Sequence, residues 1–255
     1  MSDFILDHWE NQARKHAMNP AASWADEYAI SLEVENISRW LPPGGNVLDV
    51  GCANGCSAIR HLSSVGSMTG VDFSPLMIEQ ANEIPLSPAD SQRVRFLVAD
   101  IRSLPFEDGE FDCVYTTRVL INLPNWEEQQ VGLQECLRVC RRGGTVIFSE
   151  AFWEPLMLLN ALRRLKHLPC LVEHDFNRYL KQDKIEAFLK EQDRRYHVED
   201  FSSVYYLGSR FLRELVTDAP AYPGYSNPVN KAFYELSRQF SGGGFGIQQA
   251  FIVQN

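Results

Sequence analysis

Several absences bound this chain of 255 residues before any motif is read. It has no apolar run of about 18 residues, the length a membrane-crossing helix needs. Its N-terminus also has no apolar signal core, so a soluble, cytoplasmic protein is expected. It has no basic excess: 24 Lys and Arg stand against 33 Asp and Glu, a net charge of −9. A nucleic-acid footprint, which needs a basic face, is therefore not expected. The short basic run at Arg163, Arg164 and Lys166 reads as a solvated helix face. Finally, its six cysteines lack metal spacing. Cys52/Cys56 and Cys136/Cys140 have no matching second pair of Cys or His, which argues against a metal and for reduced thiols packed as small hydrophobes. Repeats and low-complexity segments are also missing. With 45% hydrophobic and 22% charged residues, the chain suits an α/β domain with an insertion.

What is present concentrates at residues 46–72. An apolar run from Asn46 to Val50 reads as a buried strand, ends in a turn holding Gly51 and Gly55, and is followed by a helix pattern from Ala58. Strand, glycine turn and helix bring backbone N–H groups and a helix N-terminus against a ligand. A second strand ends in Asp72, placed to accept hydrogen bonds from a ribose diol. The inference is a nucleoside-bearing cofactor. A dinucleotide would want G-x-G-x-x-G, and this turn offers D-x-G-x-x-x-G. Asp49, an acid inside the loop, would repel a pyrophosphate and suits a cofactor carrying a cation.

The rest of the chain alternates. Strands are predicted at 46–50, 67–71, 93–98, 111–116 and 145–149, with helices at 55–64, 75–84 and 127–140, which implies a parallel sheet with helices on both faces. Residues 1–42 look helical, including Ser23 to Ile30, and stop at Pro42-Pro43-Gly44-Gly45. After Glu150 an amphipathic helix is predicted over 155–167, an irregular stretch over 168–178 and a helix near 181–192. Alternation returns at 196–202 and a segment at 246–253 closes the chain, with Pro220, Pro223, Gly224 and Pro228 marking a loop before 231–239.

Residues 47–55 resemble motif I of the class I S-adenosylmethionine-dependent methyltransferases, and Leu137 to Gly144 resembles the R-V-L-K-P-G-G turn of the same family. The middle glycine is replaced by Ala53, whose small side chain still permits close backbone approach. The resemblance implies a seven-stranded, mostly parallel Rossmann-like sheet with the last strand antiparallel, a helical N-terminal segment, and a helical lid inserted after the fifth strand. It divides the chain into a helical cap (1–42), a cofactor-binding core (43–150), a substrate lid (151–195) and the end of the core (196–255).

The same resemblance implies S-adenosylmethionine as cofactor and a site for it. Asp49, Gly51, Cys52, Ala53 and Gly55 would line the methionine and ribose side. Asp72 would take the ribose hydroxyls, with Phe73 and Met77 near the adenine. Asp100 and Ile101 match the position that reaches the adenine amino group, and Thr116, Thr117 and Arg118 would lie under the methionine. Singly, Asp72 and Asp100 would pass for strand-end acids capping a helix; for Phe73 and Met77 plain core packing competes.

Catalytic and acceptor residues are less marked, because the cofactor supplies an activated methyl and the enzyme mainly aligns and excludes water. Trp24 and Tyr28, one helical turn apart, could close over the cofactor or simply pack in the core. His174 beside Asp175 is a candidate base, equally read as a surface turn. Glu150 could orient an acceptor or brace the loop. Arg178, Tyr179, Tyr205 and Tyr206 are acceptor candidates, with Ser202 and Ser203 beside them and Arg178 or Arg210 as an anion partner. Arg118 to Gln129, Asn177 to Leu180 and Asp200 to Tyr206 resemble, more loosely, bacterial enzymes of sugar and surface-polysaccharide methylation. The leading expectation is O- or N-methylation of a small polar acceptor, a sugar among the options, with a homodimer left open. A non-catalytic S-adenosylmethionine binder and a nicotinamide oxidoreductase are the alternatives. The oxidoreductase is weakened by the absent third glycine and Tyr-x-x-x-Lys pair.

Overall fold

The computed structural model describes residues 3–16, 24–217 and 224–255; Ser23, Pro220 and Pro223 lie outside these. Seven strands form one sheet: β1 (Asn46–Val50), β2 (Ser67–Asp72), β3 (Val94–Val98), β4 (Phe111–Thr117), β5 (Cys140–Ala151), β6 (Arg195–Glu199) and β7 (Gln248–Gln254). Their order is β3-β2-β1-β4-β5-β7-β6. Neighbours from β3 to β5 are parallel, and β7 runs antiparallel to both β5 and β6. This is the expected doubly wound, Rossmann-like sheet.

The central strands are apolar on both faces because helices cover both. On β1, Val47 joins one core with Tyr115, Ala58 and Leu62, while Leu48 and Val50 join the other with Leu133 and Phe148. The covering helices are α1 (Asp3–His16), α2 (Glu27–Ser38), α3 (Cys56–His61), α4 (Pro75–Asn82), α5 (Pro88–Ser91), α6 (Trp126–Val139), α7 (Trp153–Leu165) and α8 (Gln182–Glu191). Ser74 caps α4 through its hydroxyl, which accepts from Met77 N–H at 3.2 Å, and Pro75 fills the first turn. None of the helices among the described residues is long and apolar enough to cross a membrane.

Two regions differ from expectation. The Arg141-Arg142-Gly143-Gly144 turn does not end a helix: α6 stops at Val139, and these residues belong to β5, whose pairing with β4 shifts register between Phe111 and Cys113. Asn255 holds the excursion, its backbone carbonyl accepting from Gly143 N–H at 2.7 Å. The strand expected over 196–202 ends at Glu199, and the chain turns helical in α9 (Ser203–Leu207), a π-helical turn (Gly208–Leu212) and α10 (Arg213–Val216), followed by α11 (Pro228–Ser237).

Candidate active site

The strand order reverses at β1, whose neighbours β2 and β4 lead off in opposite directions, and a ligand crevice belongs at the carboxyl ends of the strands there. A cavity of about 550 Å³ opens at that place.

Its floor is the turn after β1. Gly51 and Cys52 donate their N–H groups to the Val71 carbonyl at 2.7 and 2.9 Å, pinning the turn to β2. Gly51 has φ +82°, and a Cβ there would lie 1.8 Å from Val119 Cγ2, so no side chain fits. Ala53, standing where the family has its middle glycine, adopts φ +47°. Its N–H donates to Asp72 Oδ2 at 2.9 Å, and Ser74 N–H donates to Asp72 Oδ1 at 2.9 Å. Asp72 thus ties the loop to the start of α4, and each of its oxygens keeps a further lone pair. Burial raises its carboxyl above the usual range although these donors pull it down. Because left-handed backbone costs alanine about 1–2 kcal/mol and a glycine loses more chain entropy on folding, Ala53→Gly is expected to stabilise the protein by roughly 0.5–1 kcal/mol. Thermal unfolding of the two proteins checks this.

Asp49 is the most informative group. It is buried at the end of β1, lines the cavity, and neither carboxylate oxygen has a hydrogen-bond partner among the described residues. The Tyr115 hydroxyl approaches it without hydrogen-bonding geometry. Burial pushes the Asp49 carboxyl up to about 7. An unpartnered buried carboxylate is costly unless a ligand cation completes it. Beside it, Arg118 (φ +56°) donates from Nε to Glu33 Oε2 at 3.3 Å. Glu33, on α2, is buried and its Oε1 also accepts from Ser149 Oγ (2.9 Å) and Gln248 Nε2 (3.0 Å). Desolvation raises the Glu33 carboxyl despite Arg118.

The structure brings Asp49, Gly51, Cys52, Ala53, Asp72 and Phe73 to the cavity, together with Met77, Ile101, Thr117 and Arg118. Trp24, His174, Tyr179, Tyr206 and Arg210 line it as well. Other candidates lie elsewhere. Gly55 (φ +77°) starts α3 against Phe96 and Ala81 and does not reach the cavity. Asp100 is clasped by Arg102, whose Nε donates to it at 2.9 Å, and does not line the cavity. Thr116 donates its hydroxyl to Glu150 at 2.8 Å, so its side chain serves that carboxylate instead.

Glu150 itself is buried off the cavity and accepts from the backbone N–H groups of Val119, Leu120 and Ile121 at 3.1, 3.2 and 3.4 Å. Of the two roles expected for it, bracing the loop fits this geometry and orienting an acceptor does not. Tyr28 stacks on Tyr234 at 5.3 Å, and Tyr205 donates its hydroxyl to Asp26 at 2.6 Å; both are packing residues outside the lining. Arg178 turns its Nη1 onto the Asp175 and Asn177 carbonyls, its backbone N–H donates to Ile121 O at 2.6 Å, and it does not line the cavity.

His174 has no hydrogen bond to Asp175 among the described residues; its ring stacks on Phe176 at 5.9 Å. His8, on α1, meets the same Phe176 ring at 4.4 Å. This aromatic clasp joins α1 to the stretch after α7 over the cavity. His8, Trp9, Gln12 and Lys15 all line it, and the sequence did not single them out. α1 is seated by Glu10, whose Oε1 accepts from Ser74 Oγ at 2.9 Å and Leu76 N–H at 3.2 Å. Helical spacing marked residues 1–42 as helix but nothing in it marked which face meets a ligand. Among the described residues no cluster is arranged to hold a metal ion.

The crevice at the strand reversal thus joins a glycine turn, an acid without a hydrogen-bond partner among the described residues and a second acid at the next strand tip. Residues 47–144 match the family model for a methyltransferase domain. Among its relatives, 2-methyl-6-phytyl-1,4-hydroquinone methyltransferase of Synechocystis is 32% identical over 151 residues, covering 52% of this chain and 46% of the relative. The 27-O-demethylrifamycin SV methyltransferase of Amycolatopsis mediterranei is 31% identical over 141 residues, covering 52% and 50%. The chain thus spans about half the length of these relatives. Geranyl diphosphate C-methyltransferase of Streptomyces coelicolor, solved with S-adenosyl-L-homocysteine, shares the fold at a TM-score of 0.62 and 16% identity over 99% of this chain and 97% of that one. The [4+2]-cyclase SpnF shares it at 0.57 and 20%, over 88% and 80%.

Proposed function

We propose that this chain is a methyltransferase that moves the methyl of S-adenosylmethionine to an oxygen or nitrogen of a small-molecule acceptor in the cytoplasm. The observation that carries the reading is Asp49: a buried carboxylate without a hydrogen-bond partner among the described residues, on the floor of a cavity that Asp72 also lines. The residues present fit the cofactor. Asp49 takes its ammonium, Arg118 its carboxylate and Asp72 its ribose hydroxyls, while Met77, Ala99 and Ile101 give an apolar seat for the base. When bound, the cofactor would supply a methyl activated on a sulfonium, with S-adenosylhomocysteine as the leaving group. The chain's own part is alignment and exclusion of water: α1 and the His8–Phe176–His174 clasp cover the site. In this reading residues 1–42 and 151–195 serve as covers of a core formed by 43–150 and 196–255. His174 is the group available to take an acceptor proton, and Glu150 is not.

The wall beyond Arg118 carries Trp24, Tyr179, Tyr206 and Tyr225 with Leu156, Leu171 and Ile247. Rings and aliphatic groups favour an acceptor with a flat or apolar face over one that is polar on all sides. A flat face is consistent with the hydroquinone and rifamycin named for the relatives, and with a sugar ring stacked on an aromatic platform. The test is conversion of S-adenosylmethionine to S-adenosylhomocysteine, followed by mass spectrometry against a panel of phenols, hydroquinones and sugar phosphates. Cofactor binding with no acceptor methylated would favour the non-catalytic alternative.

The Asp49 carboxyl adds a pH signature. Its folded-state pKa is raised to about 7 by burial, above an unfolded value near 3.9. Its contribution to stability is therefore fully present below the unfolded value and lost as pH rises through about 7. A cationic ligand group prefers the ionised carboxylate. Binding of S-adenosylhomocysteine at pH 6 is thus expected to release a proton, seen as a binding heat that changes with buffer ionisation enthalpy. Asp49→Asn is expected to remove that dependence.

A further inference from the structure

Two cavity-lining arginines stand at the ends of one aromatic pair. Arg118 Cζ lies 4.9 Å from the Trp24 ring centroid, Trp24 meets Tyr225 edge-on at 6.4 Å, and Arg210 Cζ lies 4.5 Å from the Tyr225 ring. The backbone is irregular under both: Arg118 has positive φ, and Arg210 sits in the π-helical turn Gly208–Leu212. Left-handed non-glycine backbone and π-turns are both concentrated at functional sites. The turn is possible because Gly208 lets the Phe233 ring close against it; a Cβ at Gly208 would lie 2.0 Å from that ring.

Arg118 is taken by the cofactor carboxylate in the reading above. Arg210 has no such ligand, yet its side chain is only 11% exposed. It ion-pairs with the buried Asp26 and donates to Ser209 Oγ at 3.1 Å, which leaves other donors of its five-donor fork for a ligand. Asp26 does not belong to Arg210 alone. Its Oδ1 also caps α2 by accepting from Ala29 N–H (3.2 Å) and takes the Tyr205 hydroxyl (2.6 Å). The rings of Tyr206 and Tyr225 hold the guanidinium at 5.4 and 4.5 Å, fixing its plane at the cavity wall.

We infer that Arg210 is the anion-binding residue of the acceptor subsite, and that the acceptor is a small molecule carrying a carboxylate or phosphate group next to a flat face. The inference rests on the methyltransferase reading for the word acceptor, but the anion site itself does not. Trp24 and Tyr225 then separate two anion positions, the cofactor's carboxylate on Arg118 and the acceptor's anion on Arg210. A planar fork held against rings suits such a group better than a flexible ammonium would.

The test is calorimetric titration of the protein loaded with S-adenosylhomocysteine, using matched charged and neutral ligands. These are salicylate against salicylamide, and glucose 6-phosphate against glucose. The charged member of at least one pair is expected to bind about tenfold tighter or more, as charge-assisted bonds in a partly buried site do. The pair that shows the difference tells an aromatic acid from a sugar phosphate. Arg210→Gln is expected to erase the preference, and Arg210→Lys to weaken it several-fold without abolishing it. Charged ligands that bind no tighter than their neutral partners overturn the inference, as does a preference that survives Arg210→Gln. If the glutamine variant does not fold, a preference unchanged in Arg210→Lys overturns it equally. Titration without S-adenosylhomocysteine keeps the claims apart: wild-type protein that binds the charged ligands but not that cofactor product retains the anion site and loses the methyltransferase reading.

Discussion

Glu150→Ala is expected to destabilise the protein by about 3–5 kcal/mol, because it leaves several buried donors without acceptors. The carboxylate takes the Thr116 hydroxyl and three successive backbone N–H groups at the short helical turn Leu120–Asn122. Thr116, Leu120 and Ile121 are buried, so their donors are left without the carboxylate that satisfies them. The same bonds hold the segment from Arg118 to Ile121 against the cavity, so cofactor affinity should fall with stability. Burial raises the Glu150 carboxyl to about 7, working against its four donors. Glu150→Gln, which keeps an acceptor oxygen, is expected to lose less than half as much. Denaturant melts of both variants against wild type measure the difference, and equal losses would deny the carboxylate its anchoring role.

Asp72→Ala should produce the largest loss in binding. The side chain fixes Ala53 N–H and Ser74 N–H at 2.9 Å each and, in the proposed complex, the ribose diol. Charge-assisted bonds contribute about 1.5–3 kcal/mol each, so a hundredfold or greater drop in affinity is expected on removing two. The fold should survive, because the β2 backbone pairing with β1 and β3 does not use this side chain. Circular dichroism unchanged beside lost binding is the expected pattern; binding that persists near the wild-type level would remove Asp72 from the cofactor site.

The sheet was readable because its information is local. Val47, Leu48 and Val50 are apolar in succession, as a strand covered on both faces must be, and Gly51 marks the one backbone position where Val119 leaves no room for a Cβ. Ala53 obscured the glycine pattern without breaking it, since alanine tolerates the left-handed conformation at modest cost. Glu150 and Asp100 misled for one shared reason: a strand-end acid looks alike whether it faces a ligand or the chain. Glu150 is claimed by backbone groups that only the pairing of β4 with β5 brings near, and Asp100 by Arg102, which Glu128 of α6 also holds. The strand predicted over 196–202 was drawn too long: Asp200 to Ser202 lead into α9, whose packing on α11 takes the chain away from the sheet. That helical run carries Arg210 to the cavity. The face of α1 that meets the cavity depends on Glu10 docking at α4, which no spacing within α1 encodes.

The most direct test of the account is calorimetric titration of the wild-type protein with S-adenosylmethionine and S-adenosylhomocysteine, beside Asp72→Ala and with NADH as control. One site per chain is expected for both sulfur ligands, lost in the variant, with no heat from NADH. Absence of binding by either sulfur ligand to folded wild-type protein, or heat with NADH alone, would contradict it.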